Sequence, residues 1–214
     1  MPTLTTNSVK KINTRFGRPA SDERIARVKT ALEGNGFKVK VVDDLKELFD
    51  AVVAQIPKNT EVFTATSVTL DKAKLTEKLN SKDYISVRNK FMPLYGQPDK
   101  ELEMKRIGSA SDYAIGSVHA LTEGGHAVIA SASGSQIPNY AYGAKNFIWV
   151  VGSQKIVKDL DEAIERIEDY AFHLEDERAK KAYGTNSSIN KILIYRKEPA
   201  GRGTIYIIRE AVGF

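Results

Sequence analysis

The stretch TEGGHAVIASASGSQIPNYAYG, residues 122–143, holds an acid, a histidine, four glycines and a run of hydroxyl residues around one short apolar segment. Glu123 precedes Gly124 and Gly125, so its backbone is expected to turn sharply beside a strand, where a carboxylate can act as base or nucleophile. His119 stands four residues earlier. If this piece is helical, the two side chains share a face and form an acid–base pair; in a hairpin they need not meet. His126 is the third candidate catalytic residue, although a solitary histidine is more often simply packed or exposed. His119, His126 and His173 lack the paired spacing of a zinc motif. Neither a metal nor a cofactor is expected.

A second kind of chemistry is suggested by three loops that follow apolar runs. Thr66 and Ser67 come after EVF, Ser133, Gly134, Ser135 and Gln136 after HAVIA, and Lys155 after NFIWVV. Small residues let a backbone approach a ligand, hydroxyl and N–H groups can hold an anion, and Lys155 adds a full charge. Ser and Gly are common wherever strands end, so any one loop is better read as ordinary turn chemistry. Together the three suit a crevice for a phosphate or carboxylate at the ends of parallel strands. Of Tyr140 and Tyr142, at most one is expected to line that crevice while the other packs. No phosphate-loop or dinucleotide fingerprint occurs.

Such loops need a sheet to carry them, and the periodicity supplies one. Ile25, Val28 and Leu32 recur at helical spacing behind Ser21 or Asp22 as cap, FKVKVV alternates as a strand, and Asp43 or Asp44 can cap a helix through Leu45, Leu48 and Val52. EVF predicts a strand, followed by one amphipathic helix carrying Leu70, Ala73 and Leu79. Residues 84–98, interrupted by Pro93, Gly96 and Pro98, read as a loop that could cover a site, with a short helix from about Asp99. Strands alternating with helices predict an α/β fold, a largely parallel sheet with helices on both faces. The two β-rich runs around the PAGRG turn predict a C-terminal β-hairpin. Residues 1–18 are expected to be a flexible arm and residues 19–214 a single domain.

Bulk properties exclude several classes. A charged fraction of 28% and a hydrophobic fraction of 42% fit a globular chain, and no apolar run reaches the roughly 18 to 20 residues of a membrane helix. The net charge of +5 is spread through mixed-sign segments such as DLDEAIERIED rather than gathered in a basic stripe, so no nucleic-acid partner is expected. The N-terminal residues lack the apolar core of a secretory signal, and a cytoplasmic location is expected. With no cysteine, the chain offers no thiolate for catalysis, zinc or an iron–sulfur cluster.

The segments GSVHALTEGGHAVIASASG, NFIWVVGSQKIVKDLDEAIERI and SSINKILIYRKEPAGRGTIYII resemble the LUD domain, the lactate-utilization family. The resemblance implies a fold like that of the ribose-phosphate isomerase, glucosamine-phosphate deaminase and CoA-transferase group. It implies an accessory or anion-binding component of L-lactate and pyruvate metabolism, working beside iron–sulfur protein partners, with the Glu123 turn and loop 133–136 as the characteristic site. Two alternatives stay open: a free-standing enzyme acting on a sugar phosphate or acyl-CoA with Glu123 as base or nucleophile, and a structural subunit of an iron–sulfur oxidoreductase. A homo-oligomer is also compatible. EGGHAVI is similar to a glucosamine-phosphate deaminase segment in which His126 would match the ring-opening histidine. However, Gly124 and Ser131 stand where that family has acids, which removes the proton relay its chemistry needs.

Overall fold

The computed structural model describes residues 12–198 and 201–214. After a 3-10 turn, Thr14–Gly17, the first elements follow local signals. Ser21 Oγ accepts from the Arg24 N–H and opens α1, Asp22–Gly34, whose Ile25, Val28 and Leu32 are buried. β1, Lys38–Val42, comes next. Asp44 accepts from the N–H groups of Lys46 and Glu47, both at 2.8 Å, and caps α2, Leu45–Gln55. β2 is Glu61–Thr64, and Ser67 caps α3, Val68–Lys72. Where the spacing predicts one helix through Leu79, there are two, because Lys74 takes a left-handed conformation (φ +56°) before α4, Leu75–Leu79.

β3, Ile85–Ser86, leads into α5, Val87–Phe91, two 3-10 turns and α6, Glu101–Gly108, so the predicted loop over 84–98 is itself partly helical. Then come β4, Ser111–Gly116, β5, Ala120–Thr122, and β6, Ala127–Ser131. A π-helical turn, Asn139–Gly143, precedes β7, Ala144–Gly152, and the 3-10 turn Ser153–Lys155 precedes β8, Ile156–Val157. α7, Leu160–Arg166, and α8, Phe172–Tyr183, are followed by β9, Lys191–Tyr195, and β10, Gly203–Ile208.

Six strands form a fully parallel sheet in the order β1-β10-β7-β4-β2-β3. One face packs on α2, α3 and α4 through Leu48, Val52, Leu70, Leu75 and Leu79. The other meets α1 and the inner side chains Leu121, Ala127 and Ile129 of a second sheet, ordered β8-β5-β6-β9. On the far side of that second sheet lie Ala163 and Ile167, with Phe16 from the N-terminal turn. The α/β class and the mainly parallel sheet are thus as the alternation predicts. The second sheet is an addition that periodicity does not reveal.

The C-terminal strands do not pair with each other. β9 runs antiparallel to β6, while β10 inserts between β1 and β7 of the main sheet. Burial explains the separation. Thr204 to Ile208 are all at most 4% exposed, as a strand covered on both faces must be, whereas Ile192 and Ile194 of β9 are 42% and 43% exposed at a sheet edge. Part of the arm expected over 1–18 falls outside the described residues. Its last residues are docked: Phe16 is buried, the Asn13 N–H donates to the Asp169 carbonyl, and Arg15 pairs with Glu165 at 2.6 Å.

Candidate functional site

The C-terminal ends of β2 and β6, the turn after β4 and the turn after β7 surround a cavity of about 920 Å³. The loop residues predicted to hold a ligand line it, Thr66, Ser67, Ser133, Gly134, Ser135, Gln136 and Lys155, and His119 joins them. Two predicted residues are elsewhere. β5 and β6 are antiparallel, so the Glu123 turn lies at the opposite end of β6 from the cavity, about 13 Å along the strand at roughly 3.3 Å per residue. His126 lines a separate depression with Gly124 and Asp159. The hairpin geometry therefore keeps His119 and Glu123 apart.

Lys155 forms the floor. Its Nζ, on a side chain of a residue only 2% exposed, donates to Ser117 Oγ at 3.0 Å, the Val118 carbonyl at 3.1 Å and Thr69 Oγ1 at 3.4 Å. The two hydroxyls give their own hydrogens to the Val118 and Val212 carbonyls. Three donations from one nitrogen require the ammonium form. Burial, with the Arg166 charge added, pulls the other way and holds the Lys155 pKa well below the usual lysine range. The hydrogen-bond geometry argues for a cation kept in place at an electrostatic cost.

Arg166 is fully buried behind it. Its Nη1 donates to the His119 carbonyl at 2.6 Å and its Nε to the Gln154 carbonyl at 3.3 Å, while Nη2 has no partner. Burial brings its pKa down to about 10, which still leaves it charged at neutral pH. Among the described residues neither Lys155 nor Arg166 forms an ion pair with a carboxylate. Two desolvated cations without counter-charge make the floor strongly attractive to an anion.

His119 and Tyr140 add neutral donors. The His119 Nδ1 accepts from the Ala130 N–H at 3.1 Å, which places the proton of the neutral ring on Nε2. Burial, then Lys155 and Arg166, hold its pKa near 3. It is therefore a hydrogen-bond donor at neutral pH and not a general base. The Tyr140 hydroxyl is buried without a partner, and burial raises its pKa. It occupies space that only a glycine leaves open, since a Cβ on Gly116 would stand 1.7 Å from the hydroxyl oxygen. Tyr142, expected to pack, is 91% exposed instead.

The hydroxyl loops are less available than their composition suggests. Ser67 is spent on the α3 cap, Thr66 Oγ1 accepts from Arg88, Ser131 Oγ accepts from the Gly134 N–H, and Ser133 Oγ accepts from the Ser135 N–H. Gln136 bonds Ser131 and the Ala130 carbonyl. These residues shape the wall, while Lys155, its three hydrogens committed to Thr69, Ser117 and Val118, brings charge, and His119, Tyr140 and Arg88 bring the donors. Arg166 was legible only as part of a mixed-charge helix, yet it shares the stripe of Ala163 and Ile167 at helical spacing, the signal that marks it as buried.

Glu123 has a structural environment. Its Oε1 accepts from Arg24 Nε at 2.7 Å and its Oε2 from Arg27 Nε at 3.4 Å, both on α1, and the Arg24 bond leads in lowering its pKa. Asn35 Nδ2 donates to the carbonyls of Gly125 at 2.9 Å and Gly124 at 3.3 Å. The turn is tied to α1, and the carboxylate is a weak base. Among the described residues no group of three or more His, Asp or Glu is placed to hold a metal ion, and no helix is long and apolar enough to cross a membrane.

A parallel α/β sheet backed by a smaller mixed sheet, with a cationic cavity at the strand ends, defines the class. Compared with known proteins, the chain matches the LUD domain over residues 25–209, and it belongs to that family. It is also similar in fold to the crystal structure of a DUF162 family protein from Deinococcus radiodurans, at 13% identity and a TM-score of 0.52, covering 89% of this chain and 99% of that one. No curated protein matches it.

Proposed function

We propose that this chain is an anion-binding component of lactate and pyruvate metabolism that holds a carboxylate or phosphate in the strand-end cavity. The family is linked to lactate utilization. The observation that carries the reading is the pair of buried cations, Lys155 at the floor and Arg166 behind it, with no carboxylate paired to either among the described residues. An anion arriving there replaces missing counter-charge and gains donors from His119 and Tyr140. Because the chain has no cysteine, a cluster-bearing component of the pathway is proposed to be a separate iron–sulfur partner. The free-standing enzyme that uses Glu123 loses support, since that carboxylate is held by two arginines away from the cavity.

The test is thermal unfolding of the wild type with L-lactate, pyruvate, inorganic phosphate, sugar phosphates and CoA esters. A specific ligand at about a hundred times its dissociation constant adds roughly 2.7 kcal/mol and raises the midpoint clearly. Lys155→Met should abolish the shift, and Arg88→Gln, a change at a half-buried wall residue, should reduce it while leaving the unliganded midpoint almost unchanged. Absence of stabilisation by every anion, or a shift that survives Lys155→Met in folded protein, would overturn the reading.

A further inference from the structure

The cavity is too large for a three-carbon acid. Six non-hydrogen atoms, at about 30 Å³ each, the share of one water in the liquid, occupy about 180 Å³. The cavity measures about 920 Å³, within the range of sites that enclose much larger ligands. Its two ends also differ in chemistry. Lys155, His119 and Tyr140 stand at the strand ends, whereas α5, the turns that follow it and α6 add Phe91, Met92, Tyr95 and Met104, with Arg88, Glu101 and Lys105 among them.

Those elements are incompletely covered. Phe91 packs partly against the apolar core, but α6 contains no buried residue, Met104 included, and Met92 and Tyr95 are 44% and 72% exposed. Methionine and aromatic side chains adapt to an apolar guest, and uncovered groups of them favour one. Continuity with the cationic floor says what the guest is attached to, because a single molecule can reach both ends of one cavity.

We infer that the ligand of this cavity is an anion joined to an acyl or aryl body, its head group on the Lys155 floor and its apolar body against Phe91, Met92 and Met104. The inference rests on the anion-binding reading and specifies its ligand class. Burying several methylene groups favours such a molecule over its short analogue by roughly tenfold or more.

Calorimetric titration tests it with matched probes: pyruvate against 2-oxooctanoate and phenylpyruvate, and inorganic phosphate against octyl phosphate. The apolar member of at least one set should bind about tenfold tighter or more, and the set in which it does names the head group. Met104→Ser and Phe91→Ser should shrink that ratio without changing the affinity for pyruvate or phosphate, whereas Lys155→Met should weaken every probe. Met104 lies on a half-exposed helix face, so its variant keeps the test valid if Phe91→Ser misfolds. Equal affinities within both sets would overturn this inference and leave the anion site standing. Tighter binding that survives both apolar substitutions would also overturn it, and failure of every probe would overturn both readings.

Discussion

His119 couples the cavity to pH in a way set by its surroundings. Its ring accepts a backbone hydrogen bond on Nδ1 and faces Lys155 and Arg166, so protonation meets both desolvation and like charge. The folded pKa near 3 lies below the unfolded value of about 6.5. Between those values the unfolded chain binds a proton that the folded chain refuses, so stability falls as pH falls, by about 1.4 kcal/mol per unit at most. Between pH 6.5 and pH 5, above most carboxylate titrations, this amounts to about 1.6 kcal/mol. His119→Asn places an amide oxygen at the Nδ1 position to accept from the Ala130 N–H and has no such proton. Its denaturant midpoint should therefore decline less than that of the wild type over this interval, and parallel curves would show that the histidine titrates normally.

At the scale of elements, the Glu123-Gly-Gly turn shows how a site-like sequence can serve packing. Gly125 has φ +77°, and a Cβ there would stand 2.7 Å from the Ala31 carbonyl and 2.6 Å from Asn35 Nδ2, while a Cβ on Gly124 would find only ordinary contacts beyond 3.6 Å. Gly125→Ala should cost about 2 kcal/mol or more in chemical denaturation, and Gly124→Ala under about 1 kcal/mol. Equal costs would mean that α1 does not hold the turn. Glu123→Gln belongs with the mild changes, since a partly exposed ion pair contributes at most about 1 kcal/mol. The elements that were legible in the sequence are those written locally: α1 and α2 have caps within three residues and apolar residues on one face. The break at Lys74, the second sheet and the parting of β9 from β10 depend on which distant strands supply cover, information that a window of neighbouring residues lacks. The wall of the cavity was legible because small hydroxyl residues follow apolar runs. Its electrostatics were not, because Arg166 and Arg88 meet the floor and Thr66 only after folding.

Across the whole molecule, the two sheets are joined by the chain between β9 and β10, and Arg202 is the fastening. Its guanidinium donates to the Tyr140 carbonyl at 2.7 Å, the Ala144 carbonyl at 2.8 Å, Tyr195 Oη at 2.8 Å and Glu198 Oε2 at 3.0 Å. Tyr195 also donates to Glu198, which is 5% exposed, and Phe147 of the main sheet lies under the guanidinium with its ring centroid 5.0 Å away. One side chain thus fixes the turn carrying Tyr140, the exit from the second sheet and the entry to β10. Arg202→Met should cost about 3 kcal/mol or more, because it strands the Glu198 carboxylate in a buried position and removes donors from two carbonyls. Adding Glu198→Gln removes the stranded charge and should restore part of the loss; no recovery would place the damage in the carbonyl contacts instead. Both sheets contribute to one apolar cluster, Leu121 and Ile129 from the smaller packing with Trp149 and Ile207 from the larger. The loss should therefore appear as a shift of one cooperative transition, followed equally by tryptophan fluorescence and far-ultraviolet circular dichroism. Two separated transitions in the variant would show that the sheets fold as independent units linked through Arg202, and the cavity between them would then be a junction that a ligand could tighten.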